Sequence, residues 1–275
     1  MFWTRLASGI VLVIIALGAL IFGGIPLTLI LWAISLVALR ELTKALKCAT
    51  DPKKLNLLEI LGMAGVTAYY LGLYFLESHT MLLMCIVGFF MLEMFVYVVT
   101  FPKFRAEQVM AVVFSFLYAP VMLSFIYLTR ACAQGIYVVW MILISSWGCD
   151  TCAYAVGMLI GKKKIFPRLS PKKSLEGCIG GVLGAALIGW LYGHFFVESA
   201  FPDQTVSGMI ALICGVGAIM SMVGDLAASA IKRNNDIKDY GRLIPGHGGI
   251  MDRFDSVIVT APMTYFLTVL LLSNM

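Results

Sequence analysis

Residues 206–228 read VSGMIALICGVGAIMSMVGDLAA, and Asp225 is the single charged side chain among them. A run of this length and character matches the ~20 apolar residues that cross a hydrocarbon layer about 30 Å thick. In lipid only a helix satisfies every backbone N–H and C=O within one such segment. Similar windows recur near 7–23, 25–40, 57–76, 80–100, 107–129, 135–160, 178–197 and 251–272. The expected fold is therefore all-α: a polytopic integral membrane protein of about nine transmembrane helices. The 275 residues are 61% hydrophobic and 13% charged, well above the roughly 45–50% apolar share of soluble domains.

Working outward, Gly23, Gly24 and Pro26 turn the first window straight into the second, so the segment after Arg5 reads as a retained hairpin rather than a cleaved signal peptide. Seven cysteines, an odd number scattered mostly through apolar stretches, are not a disulfide framework. Cys149-Asp150-Thr151-Cys152 lies inside an apolar segment with no second pair, which argues against zinc. No internal repeat or soluble linker interrupts the pattern, so 1–275 is expected to form a single polytopic domain. Within it, residues 1–140 carry no specific motif and 141–275 carry the polar ones.

The basic residues set an expected orientation. Nineteen of the 20 fall in breaks on one side, with Arg130 alone on the other. The positive-inside bias makes the crowded side cytoplasmic, with the N-terminus inside and the C-terminus outside. The opposite loops carry Glu77, Glu198 and Asp203. The net charge of +5 thus belongs to short loops, which removes a nucleic-acid-binding reading. The chemistry is expected in a polar cavity facing the cytoplasm.

The longest polar breaks are 161–177 and 232–249. Before the second, Asp225, Ser229 and Lys232 stand at i, i+4 and i+7, one stripe at helical pitch with Arg233 at its edge. A carboxylate embedded in such a stripe marks a functional site by default. After it, Gly248 and Gly249 lead into the last apolar window, where glycines admit a close ligand and helix N–H groups attract anions. Asp252 and Asp255 lie in that first turn, where carboxylates also serve as simple caps. Capping leaves unexplained the surrounding Lys232, Arg233, Lys238, Arg242 and Arg253. Carboxylates interleaved with cations suit a divalent metal and a polyphosphate.

In the first break, Ser170 is placed as a helix N-cap and Pro171 as the first helical residue. Lys172 and Lys173 would then oppose the helix dipole, which points to a bound anion. Upstream, Asp150, Tyr154, Gly157 and Gly161 share one helical face, the two glycines forming a close-packing pair. No P-loop sequence is present, and Glu93 in the fourth window reads as a helix-contact residue.

The run Ser229 to Asp255 resembles the signature of the phosphatidate cytidylyltransferases, or CDP-diacylglycerol synthases. Ser229, Ile231, Lys232, Arg233, Lys238, Asp239, Gly241, Pro245, His247, Gly248, Gly249, Asp252, Arg253 and Asp255 all meet it. Asp150-Thr151-x-Ala153-Tyr154 and Ser170-Pro171-Lys172-Lys173-x-x-Glu176-Gly177 also look like family segments; Ser174 replaces a frequent Thr and keeps the hydroxyl. The resemblance implies a homodimer in the bacterial cytoplasmic membrane that converts CTP and phosphatidate into CDP-diacylglycerol and diphosphate. It implies that Asp225 and Asp252 hold Mg2+, with a monovalent cation such as K+ also involved. Lys172, Lys173, Lys232, Arg233 and Arg253 would then bind the triphosphate and phosphatidate, with Ser229 and Lys238 beside them. Gly248 and Gly249 would form a phosphate-binding turn, and His247 would hydrogen-bond phosphate or the leaving diphosphate. Asp150, Asp239 and Asp255 would orient cations from behind.

A transporter would also place acids in the membrane, but near the midplane rather than among cations at one face. The CDP-alcohol phosphatidyltransferases carry an Asp-Gly-x-x-Ala-Arg motif that is absent from this chain.

Overall fold

The computed structural model describes residues 2–49, 54–76, 78–200, 205–243 and 248–272. Glu77, Asp203, Pro245 and His247, all named above, lie outside the described residues. No strand occurs among the described residues. The chain runs as α1 (Phe2–Phe22), then α2 (Gly24–Ala45), α3 (Leu57–Phe75), α4 (Thr80–Val99), α5 (Ala106–Ala131), α6 (Gly135–Ile160), α7 (Leu175–Ala200), α8 (Ser207–Asn234) and α9 (Met251–Leu272). The last eight are each long and apolar enough to cross a membrane. In α1 the described apolar stretch is the shorter Val13–Phe22.

Two of these helices run past their apolar windows. The continuation of α2 to Ala45 carries Arg40, Glu41 and Lys44 as helical rather than loop residues. In α8 the 28 residues rise about 42 Å at 1.5 Å each, against a hydrocarbon layer of about 30 Å. Its last turn holds Lys232 and Arg233, where cations complement the negative end of the helix dipole.

The chain packs as two compact units, Met1–Ser124 with Asn235–Arg253, and Phe125–Asn234 with Phe254–Met275. In the first, α2 lies against α3 and the start of α5. Leu39, Leu42, Leu58, Val112 and Phe116 are buried there. Pro120 sits in a π-turn over Leu117–Val121, which accommodates the hydrogen bond that a proline cannot donate. The Tyr70 hydroxyl donates to the Pro120 carbonyl at 3.2 Å. Glu93, on α4, is fully buried.

In the second unit α7 packs between α6 and α8. Gly177, Gly181, Ala185 and Gly189 form a buried stripe of small residues along α7. A Cβ on Gly181 would stand 2.9 Å from the Ala153 Cβ and 3.0 Å from the Cys149 carbonyl oxygen. Side-chain absence is therefore what lets α7 approach α6.

Candidate functional site

In the second unit, the loop before α7 is built around Glu176. Its carboxylate accepts the Lys162 and Lys163 N–H groups at 3.0 and 3.2 Å. The Leu175 N–H donates to the Lys163 carbonyl at 2.8 Å, and Lys164 Nζ donates to the Lys172 carbonyl at 3.0 Å. The helix begins later than the sequence suggested. Ser174, not Ser170, is the N-cap, its hydroxyl accepting the Gly177 N–H at 3.2 Å. Ser170–Lys173 closes instead as a turn, with the Lys173 N–H donating to the Ser170 carbonyl at 3.2 Å. Ser-Pro suits the start of a turn as well as the start of a helix, and here the later serine holds the cap. Lys172 and Lys173 thus precede the helix, and the dipole reason for an anion at them falls away.

What replaces it is a cavity of about 450 Å³ whose lining includes Asp150, Tyr154 and Gly157 of α6, Lys164, Lys172 and Lys173 of the loop, and Met222 of α8. The Lys173 ammonium is ion-paired with Asp225, their side chains 20% and 29% exposed. Asp150 and Asp255 lie within electrostatic reach of Asp225, and Lys232 within that of Asp255. Ser229 and Lys232 are partly buried while Arg233 is exposed. Cations thus flank three carboxylates drawn from three helices, at the edge of apolar spans. Such a place can hold an anionic headgroup and balance its charge.

In the first unit, the start of α9 is tied to the segment before it. The Asp252 Oδ2 accepts the Gly249 N–H at 3.0 Å and the Tyr240 N–H at 2.9 Å. Both donors precede the helix, so Asp252 braces the backbone that leads into α9. Gly248 has φ of 85°, which favours glycine there. Lys238, Asp239 and Arg242 line a second cavity, about 570 Å³, together with Lys44. Arg253 is exposed.

Sequence reasoning passed over Glu41. Its carboxylate, buried near the end of α2, accepts the Ile250 N–H at 3.1 Å and the Met251 N–H at 2.9 Å. The anion seated on those two N–H groups is therefore the chain's own. One weak signal existed: the polar Arg40-Glu41 pair directly follows the four apolar residues Leu36–Leu39.

Mg2+ binds through one or two carboxylates plus substrate oxygens and waters rather than through an all-protein cage. Asp225, partly exposed beside its lysine in the second unit, supplies hard oxygens of that kind, and so, taken by itself, does Asp252 in the first unit. Among the described residues no three His, Cys, Asp or Glu side chains stand together as a self-sufficient metal cage. The donor chemistry of each carboxylate, taken separately, fits Mg2+ shared with a phosphate ligand.

A family model described as "Cytidylyltransferase family" matches residues 3–271. The chain is similar to a phosphatidate cytidylyltransferase of Bacillus subtilis, 31% identical over 97% of both chains. It is also similar to one of Staphylococcus haemolyticus, 30% identical over 96% of this chain and 98% of that one. One from Haemophilus influenzae is 39% identical over 48% of this chain and 46% of its own.

Proposed function

We propose that this chain, which belongs to the phosphatidate cytidylyltransferases of the cytidylyltransferase family, joins the phosphate of phosphatidate to the α phosphorus of CTP. An ionised oxygen of the lipid phosphate forms the new P–O bond. The bond from the α phosphorus to the bridging oxygen breaks, and its electron pair leaves with diphosphate. The nucleophile arrives ionised at neutral pH, so no protein base or covalent intermediate is required. What remains for the protein is alignment and neutralisation of charge, the main sources of catalysis in phosphoryl transfer.

The observation that supports this reading is the cavity of the second unit, where Lys164, Lys172 and Lys173 meet Asp150 against membrane-spanning helices, with Lys173 paired to Asp225. Lipid phosphate is offered there to lysines while its acyl chains stay beside α6 and α7. Asp225 and Asp252 are assigned to Mg2+ by the family resemblance, with K+ or a similar cation accompanying it. When bound, the metal polarises phosphate oxygens and offsets developing charge. Lys232, Arg233, Lys238 and Arg253 hold the triphosphate, His247 meets the leaving diphosphate, and Gly248 and Gly249 let phosphate approach. The protein is a multi-pass membrane protein; we place its site on the cytoplasmic face and expect it to work as a homodimer.

The deciding experiment follows diphosphate release from detergent-purified protein. Release should require CTP, Mg2+ and phosphatidate together, and should stop when diacylglycerol replaces phosphatidate. Release that ignores the lipid phosphate would overturn the reading.

A further inference from the structure

Helix α9 begins with backbone N–H groups that no intrahelical carbonyl can reach. A buried carboxylate from a helix more than two hundred residues earlier in the sequence meets two of them. Glu41 is 7% exposed, with one carboxylate oxygen on the Ile250 N–H and the other on the Met251 N–H. The neighbouring Gly249 N–H turns to Asp252. One short stretch of backbone is thus held by two acids, one from its own first turn and one from α2.

Two glycines of the motif make room for this contact. A Cβ on Gly249 would lie 2.6 Å from the Glu41 carboxyl carbon, and one on Gly241 would lie 2.7 Å from it. Both distances are inside van der Waals contact, so any side chain at either position would expel the carboxylate. The end of α2 that carries Glu41 is itself anchored to α3. Arg40 is ion-paired with the buried Glu59, which also accepts the Thr43 hydroxyl at 2.7 Å and closes the capping box of α3.

We infer that Glu41 is a positioning residue for the cytidylyl transfer: by docking the first N–H groups of α9, it fixes where the Asp252 carboxylate stands. The inference rests on the proposed reaction but makes a separate claim. Glu41 touches no substrate, and the N–H groups it occupies are closed to phosphate, so lysine and arginine side chains must carry the nucleotide's charge near them.

The test compares Glu41→Gln, Glu41→Asp and Glu41→Ala with wild type in detergent. Diphosphate release by the wild type checks the reaction itself, so its failure is separable from failure of the inference. The first readout is independent of activity: the rate of tryptic cleavage after Lys238 and Arg242, followed by mass spectrometry. Loss of two charge-assisted hydrogen bonds should speed cleavage about tenfold in Glu41→Ala. Gln retains one acceptor and should fall between, while Asp is one methylene short and should resemble Ala. The second readout is the split of kinetic constants. The kcat should fall about tenfold or more, and the Mg2+ concentration for half-maximal rate should rise, with the KM for CTP changing less than about threefold. Should Glu41→Ala fail to fold, the Gln and Asp variants carry both readouts. Wild-type cleavage and wild-type kcat in a folded variant would overturn the inference. So would a loss of folded protein with unchanged constants per folded molecule, which would make Glu41 a stability residue only.

Discussion

At Asp252 one carboxylate oxygen already holds two backbone N–H groups, so Asn at this position separates charge from hydrogen bonding. The amide oxygen can keep both acceptor roles. If Asp252 serves metal as well as backbone, Asp252→Asn should purify normally yet lose about a hundredfold or more in turnover. Wild-type-like turnover with unchanged Mg2+ dependence would leave bracing the backbone as its whole role. Asp225→Asn should lose activity to a similar degree. It also strands the Lys173 ammonium, which is ion-paired with Asp225. Lys173→Ala makes the reciprocal cut and should raise the KM for phosphatidate about tenfold or more, since a charge-assisted contact to phosphate is lost. An unchanged KM would move the lipid phosphate away from this lysine.

Among the elements, α7 tests two kinds of local design. Ser174→Ala removes the hydroxyl that accepts the Gly177 N–H and should cost about 1 kcal/mol of stability, read as a lower melting temperature in detergent. Gly181→Ala forces a methyl against Ala153 and the Cys149 carbonyl and should cost about 1–3 kcal/mol. Gly208→Ala on α8 meets nothing within 4 Å and should be neutral or slightly stabilising. Equal effects of the two glycine changes would refute the close-packing account of α7.

These elements also show what the sequence could and could not reveal. Long apolar windows are set by bilayer thickness, so the positions of eight spans were legible in composition alone. Ends were less legible. Ser170 and Ser174 both suit a cap, and the structure gives the cap to Ser174 while Ser170 opens a turn. The polar end of α2 read as a loop because charged residues usually mark a span's limit. Its role depends on a contact with Ile250 and Met251 that no local pattern encodes. Asp225 and Lys173, by contrast, each stand out in the sequence as charges at the edge of apolar spans, although nothing local encodes their pairing.

For the whole molecule, the distribution of basic residues predicts one compartment for both polar breaks. Cysteine introduced at Arg168 or Arg242, in a background without native cysteines, should be labelled only from the cytoplasmic face, and one at Asp203 only from outside. Labelling of Arg168→Cys and Arg242→Cys from opposite faces would refute the orientation and the proposed site. Cys48 should be a silent native thiol even before its removal. It is buried, and desolvation pushes its pKa up to about 11, leaving little reactive thiolate at neutral pH. Direct attack by lipid phosphate also fixes the stereochemistry. With CTP made chiral by sulfur at the α phosphorus, the product should show inversion, whereas a covalent cytidylyl-enzyme would give retention.

The cavity holding Lys172 and Lys173 is lined in part by Tyr154 and Met158 of α6, which are 68% and 66% exposed. Under the proposed reaction, a cavity lined by such side chains on a membrane-spanning helix would receive its lipid by sideways diffusion within a leaflet. Encounter is then two-dimensional, and the relevant abundance of phosphatidate is its fraction of the surface rather than its amount per volume. Diluting phosphatidate with inert detergent at constant bulk concentration should slow the reaction, and adding micelles of unchanged composition should not. By the same route the product would return to the sheet of lipid from which its precursor came, so successive steps of lipid assembly could exchange material without any of it crossing water.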